Sequence, residues 1–167
     1  DGRTIAAVVV GEGADLARAR NRAVTLGVSD RVRFTGWVEP DAVPTWLAAA
    51  DVVVAPSRTS PAGWVEAQGL AIVEAMAAAR PVVATRTGGV ADVVVDGDSG
   101  VLVDEGDPDA IARAVLELHD DPGRSARMGR AGRERAVSVF AADRTAAAMG
   151  DVLAGAAEAG RRRRTAR

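Results

Sequence analysis

An α/β fold built on a parallel sheet is predicted by three observations. Short β-branched runs alternate with longer alanine-rich segments of helical period, the strand runs are apolar almost throughout, and glycine or proline turns follow them. Strands that lack polar alternation are those of a sheet covered on both faces. The expectation is five strands, helices on both faces, and further helices at the carboxyl end.

The strands are expected at Ile5–Val10, Val32–Thr35, Val52–Ala55, Pro81–Ala84 and Val101–Val103. Helical spacing marks residues 14–26, 42–49, 69–79 and 91–95 between them, and 108–120, 123–136 and 141–158 after the last strand. Asp107-Pro108 has the form of a helix start, the aspartate as cap and the proline in the first turn. Gly11 and Gly13 follow the first strand, Gly36 the second, Pro56-Ser57 the third and Gly88-Gly89 the fourth. These turns lie at the carboxyl ends of the strands, the edge at which open parallel sheets bind ligands.

A chain of 167 residues, 48% hydrophobic and 26% charged, has the balance of a globular domain with a core of its own. Its apolar stretches fall short of the roughly 20 residues that span a bilayer. With no cysteine there are no disulfides, thiolate nucleophiles or cysteine metal sites, and a reducing cytoplasm is compatible. All 21 basic residues are arginine, a reflection of base composition more than of function, and a net charge of −2 gives no general attraction to nucleic acid. The Arg161–Arg164 run is expected to be a solvated basic tail over 161–167, following one domain over 1–160. It leaves open a peripheral contact with an anionic membrane at the inner membrane surface.

Glu66 and Glu74 stand on either side of Gly69, which is expected to open a helix. Glu74 has Leu70, Ala71, Ala77 and Ala78 three and four positions away, so an acid is expected on an otherwise apolar surface, where a ligand hydroxyl would offset its cost. A glutamate reaching to solvent is the plain alternative. Glu66 precedes the helix, placed to face the amides of Gly69, Leu70 and Ala71 or a ligand held over them, with a local capping contact as its alternative. Gly11-Glu-Gly13 has the form of a phosphate approach or of a plain strand-to-helix turn.

The string PSRTSPAGWVEAQGLAIVEAMAAARPVVATRTGGVADVV, followed by DGDSGVLV, resembles the donor-site signature of the glycogen-synthase-like retaining glycosyltransferases, which have two Rossmann-like domains (the GT-B fold). VVVGEGADL and RVRFTGWV fit the same pattern upstream, so the resemblance covers residues 5 to 140. It implies the C-terminal, donor-binding domain of a hexosyl-type transferase whose substrate is a nucleotide-diphosphate sugar, with no cofactor and no metal. By this resemblance Glu74 accepts from ribose hydroxyls, catalytic Glu66 faces the transferred sugar, Gly69 and Leu70 offer amides, Trp37, Val38 and Glu39 line the base pocket, and Gly88-Gly89 border the donor.

The sequence also departs from the family. The Gly-Arg and Lys that neutralise the donor pyrophosphate near the start of the family's domain have no counterpart, and there is no lysine at all. The family domain's first, central strand is also unmatched, which implies a gap in the sheet, a missing N-terminal acceptor domain, a nearly inactive fragment and an exposed edge open to pairing with a second copy. Ala67-Gln68 replace the family's Gly-Phe, Ala79 its helix-ending glycine and Asp92 a glutamate. Two other readings remain. A dinucleotide-binding oxidoreductase fits less well, with Leu16 where its third glycine belongs and no acid closing the second strand, and the other is a non-catalytic α/β interaction module. A hydrolase is not indicated, since the one histidine, His119, ends a late helix and no G-x-S-x-G occurs.

Overall fold

A computed structural model describes residues 4–165, and the chain divides after Trp46 into two compact units. The first holds β1 (Ala7–Val10), α1 (Leu16–Thr25), β2 (Val32–Gly36) and a 3-10 turn at Pro40–Ala42 that leads into α2 (Val43–Ala49). β1 and β2 pair in parallel, and the register slips between Val9 and Val10. The Gly11 amide then donates to the Gly36 carbonyl at 2.9 Å, with φ of 118° and 72° at the two residues, conformations that favour glycine. The Arg20 guanidinium lies 4.9 Å from the Phe34 ring centroid and donates to the Phe34 carbonyl.

The second unit contains β3 (Val53–Ala55), α3 (Leu70–Ala77), β4 (Val82–Thr85), α4 (Val90–Val93), β5 (Val101–Val103), α5 (Pro108–Asp120), α6 (Pro122–Val139) and α7 (Ala142–Thr165). Its strands pair in parallel in the order β3-β4-β5. β4 is the axis. Val82 and Ala84 pack with Ile72, Met76, Val90, Val93 and Leu102 on one side, and Val83 packs with Ala114, Leu118 and Met128 on the other. This alternation puts α3 and α4 on one face and α5 on the other, as the α/β prediction requires. The strand order also splits where the sequence implied a gap, into β2-β1 and β3-β4-β5.

Burial corrects one expectation. β4 is buried at every residue, but β1 is exposed throughout, with Val8 at 49%. Its apolar run resembled that of a strand covered on both faces. One short helix on two strands cannot cover it, and Ala23 is the only buried residue among those described in that unit.

The last helix also runs further than expected. α7 continues in helical form to Thr165, so the boundary expected at residue 160 falls inside a helix, and residues 166–167 lie outside those described. Arginine is a good helix former, and a lone Gly160 does not stop the helix. α5 starts as foreseen, Asp107 accepting from the Ala110 amide at 2.8 Å, and α6 repeats the device with Asp121 accepting from Arg124 at 2.8 Å and Pro122 in the first turn.

Candidate functional site

The site is built on the connection from β3 to α3 and on the loop after β4. Gly69 caps α3 in the left-handed conformation with φ 69°, and a Cβ there would stand 2.9 Å from Ile72 Cδ1. This turn aims the Gly69 amide back at the Glu66 carboxylate, which accepts it at 3.0 Å and the Gln68 amide at 3.4 Å. Ile72 and Val73 donate to the Gly69 carbonyl, and the amides of Leu70 and Ala71 have no partner among the described residues. A helix start in this state concentrates unpaired donors and the positive end of the helix dipole.

Gly88 and Gly89 press directly on this connection. A Cβ at Gly88 would lie 2.0 Å from the Glu66 carbonyl oxygen and one at Gly89 1.9 Å from that of Ala67, so both positions exclude any side chain. The Gly89 amide donates to the Glu66 carbonyl at 3.0 Å. The pair therefore fixes the backbone of Glu66 by close approach, a role more specific than a bordering turn.

Glu74 corrects the argument made for it. The 100° step of the helix turns Ile72, Ala75 and Met76 inward and leaves Leu70, Ala71 and Glu74 on the outer face, Leu70 at 66% exposure. The carboxylate is exposed and carries no burial cost. It stands one turn after Leu70 on the face that begins at the unpaired amides.

The structure thus brings Glu66, Gly69, Gly88 and Gly89 together and sets Leu70 and Glu74 beside them on α3. Gly11, Gly13, Trp37 and Val38 belong to the first unit. Gly13 sits three residues ahead of α1 in open space, its carbonyl accepting the Leu16 amide at 3.1 Å in a strand-to-helix turn. Trp37 is 64% exposed, and Val38 is half-buried.

One group of residues was not read from the sequence. The Thr59 amide and hydroxyl donate to the two oxygens of Glu105, at 2.7 and 2.9 Å. The hydroxyl of buried Thr87 lies beside the same carboxylate without completing a hydrogen bond, while the Thr87 amide donates to the Thr85 carbonyl at 2.9 Å. The Thr87 hydroxyl first, then the amide and hydroxyl of Thr59, hold the Glu105 carboxyl below the ordinary glutamate range. The signal was the chain order of the strand ends, since residues 59, 87 and 105 each follow a strand of one parallel sheet at its carboxyl edge.

The family model described as Glycosyl transferases group 1 matches residues 2–135. The chain is 42% identical over 151 residues to the GDP-mannose-dependent alpha-(1-6)-phosphatidylinositol monomannoside mannosyltransferase of Mycobacterium tuberculosis, covering 90% of this chain and 39% of that protein. It is 43% identical over 141 residues to the D-inositol 3-phosphate glycosyltransferase of Streptomyces avermitilis, covering 84% and 29%. Among solved structures, Anabaena HepE in complex with UDP-glucose superposes with a TM-score of 0.80 at 26% identity, over 90% of this chain and 41% of that one. The chain spans about two-fifths or less of the length of these proteins.

Proposed function

Since this chain belongs to the glycosyl transferases group 1 family, we propose that it is the donor-binding part of a retaining enzyme that moves a hexosyl group from a nucleoside diphosphate sugar to an acceptor. That membership sets aside the oxidoreductase reading. The observation that carries the proposal is the start of α3, where the Leu70 and Ala71 amides are unpaired beside a Glu66 carboxylate whose backbone is locked by Gly88 and Gly89. Such a terminus suits a diphosphate and the oxygens of a sugar. Glu66 takes sugar hydroxyls, and the exposed Glu74 takes the two ribose hydroxyls, as a carboxylate can. The departing diphosphate is stabilised without a metal, by the helix amides and by basic groups of the whole enzyme.

The acceptor and the remaining donor contacts belong to an N-terminal domain in this reading, which the partial coverage of the relatives supports. GDP-mannose is the first donor to test, from the relative that is 42% identical, and UDP-glucose the second, from the HepE complex. The enzyme is placed in the cytoplasm, with a peripheral contact at the inner membrane surface. No helix among the described residues is long and apolar enough to cross a membrane.

Calorimetric titration with GDP, UDP and their sugar conjugates tests this, on the chain alone and within its full-length protein. Glu74→Ala should weaken binding of the bare nucleoside diphosphate, and Glu66→Ala should weaken only the added contribution of the sugar, each by about 1.5–3 kcal/mol. Equal affinity of parent and Glu74→Ala for every nucleotide would sink the assignment.

A further inference from the structure

We infer that Glu105 is a positioning residue, which sets the place of Glu66 by clamping the connection between β3 and α3. The inference rests on the proposed donor site for its functional consequence and on the geometry of the chain for its structural one. The connection runs from Pro56 to Gly69, long for a strand-to-helix loop in a parallel fold. At its start the Thr85 hydroxyl donates to the Ser57 carbonyl. At its end Gly89 and Gly69 hold Glu66 through its carbonyl and its carboxylate. Between these points residues 60–64 close on themselves, with Ser60 donating to the Trp64 carbonyl at 2.8 Å and Ser60 Oγ accepting the Trp64 amide at 3.0 Å.

This closed turn, with Trp64 at 63% exposure, would swing as one piece if only its distal end were held. Glu105 prevents that. Both its oxygens take Thr59, the residue just before the turn, across a sequence separation of 46. It is the only ionisable side chain among the described residues that holds the segment from outside it. The charged groups around it do not compete. Arg86 of the β4 loop pairs with Asp96 at 3.1 Å, Asp107 caps α5 and lies 3.8 Å from Arg113, and neither Arg58 nor Asp104 makes an ion pair among the described residues. Both hydrogen bonds of Glu105 are thus spent on Thr59, in the loop that follows β3.

The test has three readouts on the full chain: amide hydrogen exchange at Thr59 and Gly69, Trp64 emission in a Trp37→Phe, Trp46→Phe background, and donor titration. In Glu105→Ala the Thr59 amide should lose protection, and so should Gly69, which reports the Glu66 carboxylate directly, while β4 stays protected. The affinity ratio of nucleotide sugar to bare nucleoside diphosphate should fall about tenfold, the scale of one lost hydrogen bond to a charged group. Because the folded-state pKa of Glu105 is lowered, the clamp is complete above the ordinary glutamate value and is lost as pH falls through the lowered one. Trp64 emission should step there in the parent and not in Glu105→Gln.

Unchanged Gly69 protection in Glu105→Ala overturns the inference. So does a freed loop with an unchanged affinity ratio, provided Glu66→Ala abolishes that ratio. If Glu66→Ala leaves the ratio intact, the donor reading fails instead, and Gly69 protection alone still decides whether Glu105 positions Glu66.

Discussion

Both ends of α3 carry a residue in the left-handed conformation, but they are finished in opposite ways. At the amino end Gly69 turns with φ 69°, Glu66 takes one amide, and the amides of Leu70 and Ala71 are unpaired among the described residues. At the carboxyl end Ala79 turns with φ 56°, and every late carbonyl from Glu74 to Ala77 has a donor: the amides of Ala78, Arg80 and Ala79 for the first three, the Arg133 guanidinium for Ala77. The carboxyl end is a completed Schellman turn sealed by α6. The molecule thus keeps its hydrogen-bonding capacity in reserve at one end of the helix only. The packed end has none, and the end beside Gly88 and Gly89 has donors without acceptors.

Glycine-to-alanine substitutions at the two ends should cost the most stability. Gly89→Ala drives a Cβ to 1.9 Å from the Ala67 carbonyl oxygen, and Gly129→Ala drives one to 2.2 Å from that of Ala79. Each should cost about 3 kcal/mol of stability, the upper range of overpacking, as measured by urea unfolding. The expected contrast lies in binding. Gly89→Ala should also abolish donor affinity, and Gly129→Ala should leave it intact in the protein that remains folded. Loss of affinity in both to the same degree would show that the two ends are not separate.

Ala79 is the only residue other than glycine with positive φ among those described, and a β-carbon there costs roughly 1–2 kcal/mol. Ala79→Gly should raise stability by about 1 kcal/mol after glycine's greater loss of chain entropy, with no change in donor binding. A lower unfolding midpoint would mean that the alanine methyl makes a contact outweighing its strain.

The sequence was most legible where one residue type admits one physical role. Val82, Val83 and Ala84 announced a strand covered on both faces, and they are buried on both. Asp107-Pro108 announced a capped helix, and Ala79 stood where a glycine was expected and took the glycine conformation. Apolar character alone was less informative, because Val8 to Val10 are as apolar as the residues of β4 and remain exposed. Coverage depends on what surrounds a strand, and a local run does not encode that. Glu74 misled for a similar reason, since Leu70 and Ala71, a turn before it, are apolar but share its outward face. The 161–167 segment was read by charge as a tail, while helix propensity carried it on to Thr165.

The contact between Thr59 and Glu105 was out of reach of any local pattern. The two residues meet because β3 and β5 flank β4 in one sheet, and strand order follows from tertiary pairing. Gly129 and Gly132 were likewise passed over. Their lack of a side chain is what admits the Ala79 and Ser99 carbonyls and the Met76 side chain.

β4 has a consequence for how this protein tolerates change. Val83 answers to α5, and its immediate neighbours Val82 and Ala84 answer to α3 and α4. Adjacent letters of the sequence are therefore filed in separate compartments, and letters two apart share one. Substitutions at 83 and 84 should combine as independent events, while those at 82 and 84 should constrain each other, so variation along this strand is expected to be inherited in alternating sets.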